Sequence, residues 1–109
     1  MNINLQNKLG QVHIKENSWL AKIAAAKLHS KKMAIVWGHT IHLCHTPKHE
    51  FLSDEKWVKH ELCHIKQFKQ YGFFSFLWYY LIESIRHGYY NNKFEIEARA
   101  AETADFNFK

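Results

Sequence analysis

Two histidines four residues apart, with a glutamate directly after the first, constrain this chain more tightly than anything else in it: His60-Glu61-Leu62-Cys63-His64. On an α-helix, positions i and i+4 share a face, so both imidazoles reach one metal ion if this stretch is helical. The flanking residues predict that it is. Ser53 is the expected N-cap, Asp54 and Glu55 put negative charge in the first turn, and Leu52 and Trp57 have the spacing of a hydrophobic staple. The helix is predicted to run to about Tyr71 and to stop at Gly72. Glu61 then lies at the edge of the histidine face, where it can take a proton from water held at the metal.

The rest of the chain bounds what can surround that helix. At 109 residues, with 47% hydrophobic and 16% aromatic content, it is expected to form one folded domain over residues 1–109. The formal charge of +5 is spread out, and Lys31-Lys32 is the single basic doublet. That pattern reads as a mildly basic surface rather than a nucleic-acid site. Residues 1–10 are polar and lack the apolar core of a secretory signal, so a cytoplasmic setting with Cys44 and Cys63 as free thiols is expected. The apolar run from Phe73 to Ile82 is too short to span a bilayer. It reads as a buried core helix, with membrane-surface docking of its aromatics as the lesser alternative.

Along the chain, Ser18 is expected to cap a helix reaching about His29, with Trp19, Ile23, Ala26 and Leu28 as its apolar stripe. Met33–Trp37 and Thr40–Cys44 read as strands, with a bulge or bend at Gly38. Thr46 to His49 reads as a loop. Helices are expected over about 73–87 and 93–105, separated by turn chemistry at His87 to Asn92. The fold class is α+β: a short antiparallel sheet or hairpin on three to four helices, with the His60–His64 helix central.

A catalytic zinc site takes three protein ligands and leaves a position for water. After His64 the chain reads Ile65-Lys66-Gln67-Phe68-Lys69-Gln70, with no third histidine at a useful spacing, so a carboxylate from a later helix is required. Glu95, Glu83 and Glu97 are the candidates. Glu95 comes first, because Ala98, Glu102 and Asp105 continue its face and a small residue at Ala98 lets two helices approach closely. Glu83, next to a very apolar run, would need a partner if buried. Gln67, one turn past His64, can bond a ligand or line a cleft. Cys63 is rotated off the metal face and reads as a small core residue. His87, Tyr89 and Tyr90 are candidates to stabilise a tetrahedral oxyanion.

His60-Glu61-x-x-His64 followed by a helix with Glu95-Ile96-Glu97-Ala98 resembles the gluzincin branch of the zincin metallopeptidases. The resemblance implies zinc-dependent cleavage of a peptide or protein substrate, with the first Glu of E-x-x-A, here Glu95, as third ligand. It implies that Glu61 removes a proton from the activated water and returns it to the leaving amine. It also assigns extended substrate to an edge strand, for which Thr40–Cys44 is the best candidate. An Asp that often follows E-x-x-A is replaced by Arg99. Two other classes of reading stand beside this one. A structural zinc site could use His39, His42, Cys44 and His45, or the domain could be an inactive zincin-like scaffold.

Overall fold

The computed structural model describes residues 12–27 and 32–103. Among them the order is β1 (His13–Lys15), α1 (Trp19–Lys27), β2 (Met33–Trp37), β3 (Thr40–Cys44), α2 (Lys48–Ser53), α3 (Glu55–Tyr71), α4 (Phe73–Asn91) and α5 (Lys93–Ala101). The α+β class is as expected. The sheet is mixed rather than purely antiparallel, and five helices are present among the described residues.

The sheet grows from a two-residue hairpin. β2 and β3 pair antiparallel from Met33↔Cys44 to Trp37↔Thr40, leaving Gly38-His39 as the turn. Gly38 has φ +67, the left-handed conformation such a turn needs at its first position. β1 then pairs parallel with β3, in register His13↔Thr40, so the strand order is β1-β3-β2. This corrects the expectation for Thr40–Cys44: β3 is the central strand and has no free edge. The short β1, drawn from a polar N-terminal stretch, occupies that edge.

Period-2 alternation divides the sheet between two helical layers. Ala34, Val36, Ile41, Leu43 and Ile14 face α3 and α4 and join Phe51, Val58, Leu62, Ile65, Phe68, Phe76 and Phe94 in the main core. Met33, Ile35 and Cys44 face the other way and pack with Ala21 of α1. Ser18 caps α1, its Oγ accepting the Ala21 N–H. The expected stripe on α1 is corrected: Trp19, Ile23 and Ala26 are exposed and Ala21 is the buried contact. Leu28 and His29 lie outside the described residues, as does Asp105.

Pro47, fixed at φ −65, starts a short helix where a loop was expected. That helix takes Ser53 into its last turn, where the Ser53 hydroxyl donates to the Glu50 carbonyl. The N-cap of α3 therefore passes to Asp54, whose Oδ1 accepts the Trp57 N–H at 3.1 Å. The Trp57 ring packs edge-on against Phe51 rather than stapling to Leu52 alone. Gly72, at φ 86 and ψ 156, ends α3 and starts α4, a conformation open to glycine. Gly88 (φ 79, ψ 168) breaks α4 near its end, within the predicted turn region.

Candidate metal centre

α3 is buried on two sides. Val58, Leu62 and Ile65 face the sheet, whereas Glu61, His64 and Gln67 are buried against the helices that follow. α5 lies close to it because the contact is made by small side chains: Cys63 packs with Ala98 and Ala101. Cys63 is thus a core residue as read, and burial pushes its thiol up to about 12.

The start of α5 fixes the position of Glu95. Asn92 is fully buried and caps the helix, with Oδ1 accepting the Phe94 N–H at 2.8 Å. Its Nδ2 donates to the Tyr80 carbonyl and the Ser84 hydroxyl of α4. One side chain thereby ties α4 to the first turn of α5, where Glu95 sits and where the helix dipole favours a carboxylate.

His60 and His64 meet Glu95 at a common point. His60 Nε2 lies 3.1 Å and His64 Nε2 3.2 Å from Glu95 Oε1, and the Tyr80 hydroxyl donates to Glu95 Oε2. The far nitrogen of each ring has its own partner. His60 Nδ1 bonds Glu102 Oε2 at 2.7 Å, and His64 Nδ1 bonds Gln67 Oε1 at 2.8 Å. Gln67 is oriented in turn, its Nε2 donating to the Phe94 carbonyl and to Glu97 Oε1 at 2.7 Å. With Nδ1–H committed outward, each Nε2 is turned inward, the arrangement in which imidazoles bind a metal. Among the described residues this is the one group of three metal-ligating side chains whose ligand atoms fall within 4.8 Å of one another.

Charge in the cluster is strongly coupled. Burial alone would lower the His60 pKa, but hydrogen bonds to Glu95 and Glu102 and the charge of Glu61 raise it to about 9. His64 is raised on the same balance. Burial would raise Glu95, and the bonds from both imidazoles and Tyr80 instead hold it well below the usual carboxylate range. Glu61 is the exception: burial outweighs the nearby histidines and lifts its carboxyl to about 7. A proton shared between Nε2 and Glu95 occupies the lone pairs that a metal ion would otherwise take. The donor set of two imidazoles and one carboxylate is one that fits a divalent metal ion.

The other sequence candidates fall elsewhere. Glu83 accepts the Lys93 N–H and so supports the start of α5, away from the centre. Glu97 bonds Gln67 and Cys63. Of the three oxyanion candidates, Tyr89 lines the cleft and is pushed above its ordinary value by burial and by Glu95. His87 is exposed and outside the cleft lining, and Tyr90 stacks under Arg99 at 4.0 Å. The His39, His42, Cys44 and His45 set does not converge: His42 bonds Ser18, Cys44 is buried beside Ala21, and His39 and His45 are exposed. Tyr80 and Glu102 were not singled out as site partners by sequence reasoning. Glu102 shares the Glu95 face, which is a signal; Tyr80 carries the polar tip of an otherwise apolar run, a weak one.

The cluster opens into a cleft of about 340 Å³. One wall is β2, Met33 to Trp37. The other is built by Phe68, Phe76, Leu77, Tyr80 and Tyr89, with His64 and Glu95 at one end. Among the described residues no helix is long and apolar enough to cross a membrane. Comparison with protein-family models, with curated proteins and with solved structures gave no match.

Proposed function

We propose that this chain is a zinc-dependent peptidase whose metal is held by His60, His64 and Glu95 and whose general base is Glu61. The observation that carries this reading is the convergence of both Nε2 atoms on Glu95 at the end of a cleft bordered by a strand. Zinc bound there would supply Lewis-acid polarisation of a carbonyl and acidify a water molecule. The remaining work belongs to the chain. Glu61, buried and raised to about 7, is suited to take a proton from that water near neutral pH and to return it to the leaving amine nitrogen. Glu102 and Gln67 hold the imidazoles with Nε2 inward. Tyr80 fixes the second oxygen of Glu95, and Tyr89 supplies a phenol at the cleft wall suited to a developing oxyanion.

Extended substrate is assigned to β2 rather than to β3. β2 is an outer strand of the sheet and forms a wall of the cleft, so its outward N–H and C=O groups can pair with a peptide backbone. Phe68, Phe76 and Leu77 would receive an apolar side chain from that peptide. Both cysteines are free and buried, which suits a reducing, cytoplasmic setting.

The test is elemental analysis of the purified chain alongside cleavage of a mixed peptide pool. About one zinc per chain is expected, lost in Glu95→Ala and kept in Glu83→Ala, with cleavage following the metal. A chain that takes up no zinc when supplied, or that cleaves equally well after Glu95→Ala, would overturn the reading.

A further inference from the structure

α4 is broken at Gly88. Before the break its inner face, through Phe76, Leu77 and Tyr80, lines the cleft and the core, while Phe74, Trp78 and Leu81 on its outer face are exposed. The expectation of a buried core helix over Phe73 to Ile82 is therefore corrected: it holds for one face only. After Gly88, at φ 79 and ψ 168, a single turn from Tyr89 to Asn92 leads into α5. That turn is closed by a long bond, 3.3 Å from the Asn92 N–H to the Tyr89 carbonyl. One helical turn does not sustain itself, since it fixes several residues for few bonds. Its geometry has to be imposed from outside.

Two side chains impose it. Asn92 is buried and ends the turn, tying it to the Tyr80 carbonyl and the Ser84 hydroxyl. Arg99 holds the middle: its guanidinium lies 4.0 Å over the Tyr90 ring and also donates to the Tyr90 carbonyl. One planar cation thus engages both the ring and the backbone of a single residue. Arg99 follows Glu95 by four residues, one turn further along the same face of α5. The helix that presents the carboxylate to the metal position therefore also grips the turn.

The grip acts on the neighbour of Tyr90. Tyr89 lines the cleft together with His64 and Glu95. Burial raises its phenol, and the charges of Glu95 and Glu61 raise it further, so the hydroxyl faces the carboxylates of the centre. Tyr89 is nonetheless 53% exposed, so packing alone does not hold it there. We propose that Arg99 is a positioning residue: by clamping Tyr90 it sets the turn after Gly88 and so aims the Tyr89 hydroxyl at the metal position. The use of that hydroxyl, to meet a developing oxyanion, rests on the peptidase reading; the clamp itself does not.

The test is a mutant cycle read in two ways. In the first, the full chain carries tyrosine rings isotope-labelled for NMR and is treated with chelator, and the Tyr89 signal is identified by its loss in Tyr89→Phe. Arg99→Ala should shift the Tyr89 signal and leave that of Tyr80, before the break, in place. Tyr90→Leu, which removes the ring from the clamp without altering α5, should do the same. In the second, the zinc-loaded chain cleaves a peptide. Arg99→Ala should lower kcat by about 10–100-fold with KM within about twofold. In the Tyr89→Phe background it should cost nothing further. A Tyr89 signal that Arg99→Ala leaves unmoved would overturn the proposal. So would losses that multiply in the double variant, which would make Arg99 a general support of the fold. A parent chain that takes up no zinc or cleaves nothing would sink the peptidase reading instead, and the tyrosine signals of the chelated chain would still decide the clamp.

Discussion

His64 depends on a side chain that never touches the metal position. Gln67 offers its oxygen to His64 Nδ1 only because Glu97 and the Phe94 carbonyl occupy its nitrogen. Gln67→Leu removes the bond to His64 Nδ1 and the buried bond to the Phe94 carbonyl, so zinc affinity should fall by about 10–100-fold, read by competition with a chromophoric chelator. Glu61→Gln should behave differently. It replaces a buried carboxyl with a neutral isostere, so zinc content and melting temperature should match or exceed those of the parent, while peptide cleavage drops by about 10²–10⁴-fold. Retained cleavage would remove Glu61 from its proposed role. At this scale the sequence is informative where the chemistry is local. The His60–Glu61–His64 spacing sits within one helix and can be read directly. Glu95 could only be narrowed to one of three acids, because its approach depends on how α5 packs. Gln67, Tyr80 and Glu102 find partners 15 to 42 residues away in the chain, or across one helix turn, and neither pattern nor propensity encodes that pairing.

Elements are set by their ends, and two asparagine or aspartate caps carry unequal weight. Asp54 is exposed and satisfies one N–H, so Asp54→Ala should cost about 1 kcal/mol in denaturant unfolding, and Ser53→Ala much less. Asn92 is buried, caps α5 and holds Tyr80 and Ser84 of α4. Asn92→Ala should therefore cost about 2–4 kcal/mol and displace Glu95 with the helix that bears it. A loss no larger than that of Asp54→Ala would mean that α5 is held by its Ala98 packing alone. Periodicity and turn residues placed most helices and both hairpin strands correctly. They missed the α2 helix, because Pro47 opens a helix as readily as it marks a loop. They also took β3 for an edge strand, because its central place depends on a three-residue parallel partner, β1, whose own sequence is short and mostly polar.

At the scale of the whole molecule, the centre links stability to pH. Glu61 and His60 hold protons more tightly in the fold than their ordinary values of 4.5 and 6.5, reaching about 7 and about 9. Each stabilises the fold below its unfolded value and loses that contribution as pH rises through its folded one. Glu95 is depressed, so its contribution is present above 4.5 and lost as pH falls. The chelator-treated chain should therefore melt highest near pH 4.5, lose stability first as Glu61 ionises toward pH 7, and fall further as His60 ionises toward pH 9. Zinc competes with the imidazole protons, so the gain in melting temperature on adding zinc should widen over the same rise. A gain that is flat across pH would place the metal on other groups. The proposed ligands also sit on two helices, with His64 and Glu95 31 residues apart in the chain. An ion shared between them acts as a removable cross-link that closes a loop through α4, restricting the open chain much as a disulfide would. Chelation should accordingly release amide protection first in α5 and beyond Gly88, while the sheet and α3 keep theirs, as followed by hydrogen exchange. Metal supply would then set the integrity of the C-terminal third as well as the chemistry of the cleft.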